Sequence, residues 1–189
     1  MATLANHVPL MPDSLTAFEL LLEIDQRCRT LAAGLVAQES KLSTWSGIGF
    51  RIGEHCFVAP MGEIAEILHE PRFTLLPGVK PWVKGVANLR GQLLPIMDLS
   101  GFFGGELSAL RKQRRVLVVE FKDVFVGLQV DEVLGMQHFD QHDLRTGEQS
   151  LPGLQFAPYL QGRFSAEHDW WVFSPFALAQ APSFWAVAV

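Results

Sequence analysis

Residues 83–99 read Val83-Lys84-Gly85-Val86-Ala87-Asn88-Leu89-Arg90-Gly91-Gln92-Leu93-Leu94-Pro95-Ile96-Met97-Asp98-Leu99, and their pattern decides the fold class. Two apolar runs, 83–89 and 93–99, flank Arg90-Gly91-Gln92. Short apolar runs around a glycine specify a β-hairpin whose tight turn demands positive φ at Gly91. Asn88, Arg90 and Gly91 therefore fall where two strands reverse, with the Arg90 side chain free to project from the turn. Pro95 has no backbone N–H, which places it at a strand edge or bulge rather than in a fully paired strand. Asp98-Leu99-Ser100 then leaves the sheet for a short helix or loop. On pattern alone this is a hairpin of an ordinary β-barrel.

Outward from the hairpin, strand-length segments continue in both directions. Ile48, Phe50 and Ile52 alternate with Gly49 and Arg51, and Gly53-Glu54 turns the chain into 55–60. Ile64, Ile67 and Leu68 form another apolar segment among Glu63, Glu66 and Glu70, before a loop punctuated by Pro71, Pro77, Gly78 and Pro81. Downstream, the Gly-rich stretch 100–110 reads as a short helix or turn. A basic run, 111–115, then leads into the most hydrophobic strand candidate, 116–121. Lys122-Asp123 turns into 124–130, and the chain extends through 133–139. Residues 141–158 read as a long polar loop, and 159–164 with 170–173 as a last hairpin. Ser174-Pro175 can open a terminal helix, Ser174 as cap and Pro175 in the first turn, carrying Phe176 and Leu178, with Trp185 a candidate member.

Nine or ten short strands in two groups, divided near 100–110, predict a mainly β fold of two small antiparallel barrels. The sequence shows no convincing repeat between the halves. Ahead of them, 1–12 is an irregular tail. Leu21, Ile24, Cys28, Leu31 and Leu35 recur at helical spacing, which predicts an amphipathic helix over 14–38. Thr16 and Glu19 have the spacing of a capping box at its start. The expected organisation is thus a tail and helix over 1–43 and a β domain over 44–185. Whether the helix packs on that domain or docks a partner stays open at this level.

With 189 residues, 49% hydrophobic and 19% charged, the chain can bury a real core and is not of disordered composition. A net charge of −5 argues against a general nucleic-acid binder. Residues 71–115 nonetheless hold eight Lys or Arg against two Asp or Glu, and residues 116–189 hold three against nine. Such asymmetry either orients docking with partners or intermixes once the chain folds. Cys28 and Cys56 lack metal-site or redox spacing, which suits a reducing compartment. The start of the chain does not read as a signal peptide, and no window approaches a membrane span. The expected location is cytoplasmic, without direct membrane insertion.

Candidate chemistry is sparse. His138-x-Asp140-x-His142 is the best metal motif, but no fourth ligand is identifiable. His55 and Cys56 are adjacent on a strand, so they point to opposite faces and make no nucleophile–base pair. Gly101-Phe102-Phe103-Gly104-Gly105 lacks the Gly-Lys-Ser/Thr of a phosphate loop, and there is no Gly-x-Ser-x-Gly elbow. The expectation is a protein that is not an enzyme and has no cofactor and no bound metal. The alternative function class is a small-barrel nucleic-acid-binding module.

Gly85-Val86-Ala87-Asn88-Leu89-Arg90-Gly91, Leu94-Pro95-Ile96-Met97-Asp98-Leu99 and Val130-Asp131-Glu132-Val133-Leu134-Gly135 together resemble the signature of the CheW-like chemotaxis coupling family. The resemblance spans roughly 45–180. The N-terminal helix, Trp45–Phe50, 60–64 and 111–119 are similar to its PilI-type branch, which serves type IV pili and twitching motility. The resemblance implies two five-stranded Src-homology-3-like barrels sharing a hydrophobic core. It also implies a signalling adaptor whose partners are the cytoplasmic tip of a methyl-accepting chemoreceptor (PilJ type) and the regulatory domain of a CheA-like histidine kinase (ChpA type). The family's receptor-contact position falls on Ile64, its acidic position on Glu66, and a receptor-coupling glycine on Gly85. Its Asn-x-Arg-Gly motif falls on Asn88, Arg90 and Gly91, the arginine being the one that matters for signalling.

Overall fold

In a computed structural model, residues 17–36, 44–147 and 154–189 are described. The chain divides into two units, 1–42 and 43–189. Within the first, α1 spans Ala17–Val36, with Glu19 in its first turn and a Glu23–Arg27 ion pair one turn apart. The Thr16 position of the expected capping box lies outside the described residues.

The second unit is built from strands. The first sheet contains β1 (Thr44–Ile52), β2 (His55–Pro60), β9 (Glu132–Asp140), β10 (Leu160–Ser165) and β11 (Asp169–Phe173), in the order β10-β11-β2-β1-β9. The second contains β3 (Glu66–His69), β4 (Phe73–Thr74), β5 (Val83–Leu89), β6 (Gln92–Asp98), β7 (Arg115–Phe121) and β8 (Val124–Val130), in the order β3-β7-β8-β6-β5-β4. The expected pair of five-stranded sheets is present, and the sixth strand of the second is the two-residue β4. That strand lies in the Pro-rich stretch read from sequence as loop.

Each sheet curls on itself. In the first, Arg145 and Arg163 exchange two backbone hydrogen bonds of 2.9 Å, which joins the chain after β9 to β10. In the second, the edge strands β3 and β4 are consecutive in sequence, separated by residues 70–72. Side chains show the result as period-2 partitioning. On β7, Val116 and Val118 enter a cluster with Ala87, Leu94 and Ile96, whereas Leu117 and Val119 enter the large central core. On β2, Val58 joins Phe164, Trp170 and Val172, whereas Phe57 and Ala59 join the central core. Each barrel thus has its own filling, and the outward faces of both share a third core containing Phe50, Leu128 and Phe173, all essentially fully buried.

The stretch 100–110 does not separate the two barrels. It connects β6 to β7 within one sheet, while β1 and β2 pair with strands that arrive after residue 130. The reason is α2 (Leu99–Phe102), capped by Asp98, which accepts from the Gly101 N–H at 2.8 Å. It turns the chain so that β6 runs parallel to β8, pairing Ile96, Met97 and Asp98 with Gly127, Leu128 and Gln129. Pro95 lies just before that parallel pairing begins, opposite Val86 of β5, so its missing donor leaves no ladder bond to β8 broken.

Asp131, fully buried, ties these parts together. One carboxylate oxygen accepts from the Ala109 N–H and the other from the Gly53 N–H, each at 2.7 Å. Ser174 caps α3 (Pro175–Ala179) as its position implied, accepting from the Ala177 N–H at 3.1 Å. Glu63 accepts from the Ser174 hydroxyl and the Phe176 N–H, which fastens the β2–β3 connection to this helix. Trp185 is not on α3. The chain turns at Gln180 and Ala181, and Pro182 opens a separate helix, α4 (Pro182–Trp185).

Candidate functional site

The hairpin β5–β6 closes on a two-residue loop, since Leu89 and Gln92 are the last paired residues. Both loop residues are left-handed, Arg90 at φ 52° and Gly91 at φ 87°. This is the handedness that matches the right-handed twist of paired strands, and Asn-Gly is its favoured sequence. Here Asn88 supplies its side chain instead, its Oδ1 accepting from the Gly91 N–H at 2.9 Å. Arginine in a left-handed conformation costs roughly 1–2 kcal/mol relative to glycine. The turn alone would be better served by glycine or asparagine at position 90, so the arginine points to a demand on its side chain.

That side chain reaches Glu66 on β3. Arg90 Nη2 lies 2.8 Å from Glu66 Oε1, with 77% of the Arg90 side chain and 30% of the Glu66 side chain exposed. β3 and the β5–β6 turn lie far apart in sheet order, so the contact spans the curl of the second barrel. It is a single hydrogen bond, not a two-pronged one, and Glu66 Oε2 has no partner among the described residues. The pair stands over a groove of about 200 Å³ lined by Ala65, Leu89, Gln92, Val118, Glu120 and Phe125.

The other expected residues have different surroundings. Ile64 follows the 3-10 turn Met61–Glu63 and packs, half-buried, on the central core. Gly85 sits at a register shift in the hairpin, at φ 143°, where an added Cβ would lie 2.2 Å from the Thr74 carbonyl oxygen. Its requirement is the close approach of β4. The structure therefore brings Glu66 and Arg90 together, uses Asn88 and Gly91 to hold the turn, and leaves Ile64 and Gly85 outside the groove lining.

Sequence reading missed the groove wall from β7 and β8. Its one available signal was Glu120, the lone charge within the otherwise apolar run 116–121. The His138–His142 motif is committed elsewhere: His138 Nδ1 lies 2.8 Å from Ser46 Oγ, and Asp140 accepts from the His142 N–H. Among the described residues no three His, Cys, Asp or Glu side chains are grouped to hold a metal. Burial pushes the Cys56 thiol above its ordinary pKa, a shift that the neighbouring Arg51 charge opposes. No helix among the described residues is long and apolar enough to cross a membrane.

Comparison with known proteins agrees with this architecture. The CheW-like domain model matches residues 46–169. Protein PilI of Pseudomonas aeruginosa is 64% identical over 95% of this chain and the whole of that protein. Chemotaxis protein CheW of Thermotoga maritima is 29% identical over 54% of this chain and 68% of its own. The crystal structure of the scaffolding protein TtCheW from Thermoanaerobacter tengcongensis superposes with a TM-score of 0.63 at 19% identity, covering 74% of this chain and 94% of that one, which is a likeness of fold. With strands, shared core and Asn-x-Arg-Gly turn all in place, the chain belongs to the CheW-like family.

Proposed function

We propose that this protein is a non-enzymatic adaptor that couples a methyl-accepting chemoreceptor to a CheA-like histidine kinase. The finer assignment is a PilJ-type receptor, a ChpA-type kinase and the chemosensory system controlling type IV pili and twitching motility. It is supported by the likeness to PilI along nearly the whole chain. Its place of action is the cytoplasm, at membrane-associated receptor arrays. The observation that carries the reading is Arg90, held on a left-handed turn residue and paired across the barrel with Glu66. A scaffold influences a kinase only if its binding differs between two receptor or kinase states. Ile64, Glu66, Gly85, Asn88, Arg90 and Gly91 are the proposed coupling set. In it, Glu66 and Arg90 present the contact, Asn88 and Gly91 set its geometry, and Gly85 and Ile64 position the strands that carry it.

The test is titration calorimetry of the whole chain with a receptor signalling-tip fragment and with the kinase regulatory domain, separately and together. The expected result is binding to each and a ternary complex. Failure to bind either one refutes the adaptor reading.

A further inference from the structure

Glu120 gives the groove beneath Arg90 an unbalanced charge. Glu66 and Glu120 bring four carboxylate oxygens to the groove, and among the described residues only Glu66 Oε1 is engaged, by Arg90. Glu120 is exposed and makes no ion pair among the described residues, which leaves one net negative charge beside Arg90. The floor is apolar. Leu89 and Phe125 are half-buried at the border of the second barrel's core, and Val118 is buried within it. A volume of about 200 Å³ suits one long side chain rather than a helix or a cofactor.

We infer that this groove is a socket for a single lysine or arginine side chain of a partner protein. Its methylene stem lies along Leu89 and Phe125, and its cationic head sits between Glu120 and the free oxygen of Glu66. Long cationic side chains bury an apolar stem while keeping the head at polar groups, which matches this floor and rim. Opposite charge at an interface steers encounter and rejects wrong partners. Glu120 is thus a specificity-determining residue. The inference rests on the reading of Glu66 and Arg90 as a partner-contact site.

The test uses two small probes, N-acetyl-leucyl-lysine amide and N-acetyl-leucyl-glutamate amide. Each is titrated at millimolar concentration into isotope-labelled protein and followed by backbone amide NMR shifts. Wild type, Glu120→Gln and Glu120→Lys are compared. Glu120 is exposed, so both variants should fold, and Glu120→Gln carries the comparison if the charge reversal does not. The expected result is lysine-peptide shifts confined to Ala65, Glu66, Leu89, Gln92, Glu120 and Phe125, weakened in Glu120→Gln and absent in Glu120→Lys. The glutamate peptide should leave these amides unmoved. Lysine-peptide shifts elsewhere or nowhere, shifts that survive Glu120→Lys, or a glutamate peptide seated in the groove would each overturn the inference.

The same variants are then tested against the receptor fragment and the kinase domain, where Glu120→Lys should weaken one of them by about tenfold, equivalent to 1.4 kcal/mol. Loss of neither, with wild type binding both, overturns the socket as a partner contact and leaves the adaptor reading intact. A lysine peptide in the groove of a protein that binds neither partner has the opposite meaning: the socket stands and the adaptor reading falls.

Discussion

Replacing Arg90 by asparagine should separate coupling from folding. The substitution acts on two quantities that oppose each other. Losing the ion pair with Glu66 costs little, because Arg90 is 77% exposed and makes one hydrogen bond to a carboxylate that remains 30% exposed. Pairs of this kind contribute about 0–1 kcal/mol. Glu66 is not stranded in a dry interior, so the larger penalty of breaking a buried pair does not apply. Against that loss, asparagine tolerates the left-handed conformation at φ 52° better than arginine does, and Asn-Gly is the favoured sequence for this two-residue turn. The gain is a fraction of the roughly 1–2 kcal/mol cost of the left-handed conformation. The two effects nearly cancel, leaving stability within about 1 kcal/mol of wild type. For a chain of this size that corresponds to a Tm change of about 2–4 °C. Scanning calorimetry reads the stability, and titration calorimetry with the receptor fragment and the kinase domain reads the coupling. The expected outcome is an almost unchanged melt with weakened binding to at least one partner. A drop in Tm beyond about 10 °C, with binding lost only in proportion to unfolding, would make Arg90 a structural residue and refute the reasoning.

Gly85→Ala should destabilise the chain by about 2–5 kcal/mol, combining overpacking against the Thr74 carbonyl with an unfavourable positive φ; urea titration measures it, and a near-neutral result would mean that β4 moves aside freely. Asp131→Ala should cost about 2–5 kcal/mol, since it leaves the N–H groups of Gly53 and Ala109 without their acceptor, and Asp131→Asn should fall between alanine and wild type in the same titration. Cys56 should react slowly with iodoacetamide near pH 8 and rapidly once the protein is unfolded, because burial holds its thiol protonated. With its folded pKa raised, the stability contributed by that group is present below the unfolded value and declines as pH rises past about 9.0; a Cys56→Ala variant should flatten that alkaline decline, and identical pH profiles would show that other groups govern it.

The local features were legible because they are local. A glycine after Arg90 between two apolar runs specified the hairpin, and Ser174-Pro175 specified a capped helix start; both depend on backbone conformations that neighbouring residues dictate. Combined motifs in 85–99 and 130–135 were specific enough to indicate the family. Apolar alternation on β1 and the continuous apolar run of β7 likewise marked strands buried on one face or both, since side-chain direction on a strand follows residue parity alone.

Pairing was not legible in the same way. Nothing in the order of residues shows that 100–110 connects two strands of one sheet, or that β1 pairs with β9 more than eighty residues away, because registry between distant strands depends on which faces meet in the folded core. The sequence by itself determined that Arg90 stands at a hairpin tip and that Glu120 is the lone charge in the apolar run 116–121. Only the tertiary structure decided that they share a groove. Glu66, Leu89, Arg90, Glu120 and Phe125 come from four separate strands and one turn, and the curl of the second sheet, driven by burial of its inner face, sets them around one cavity.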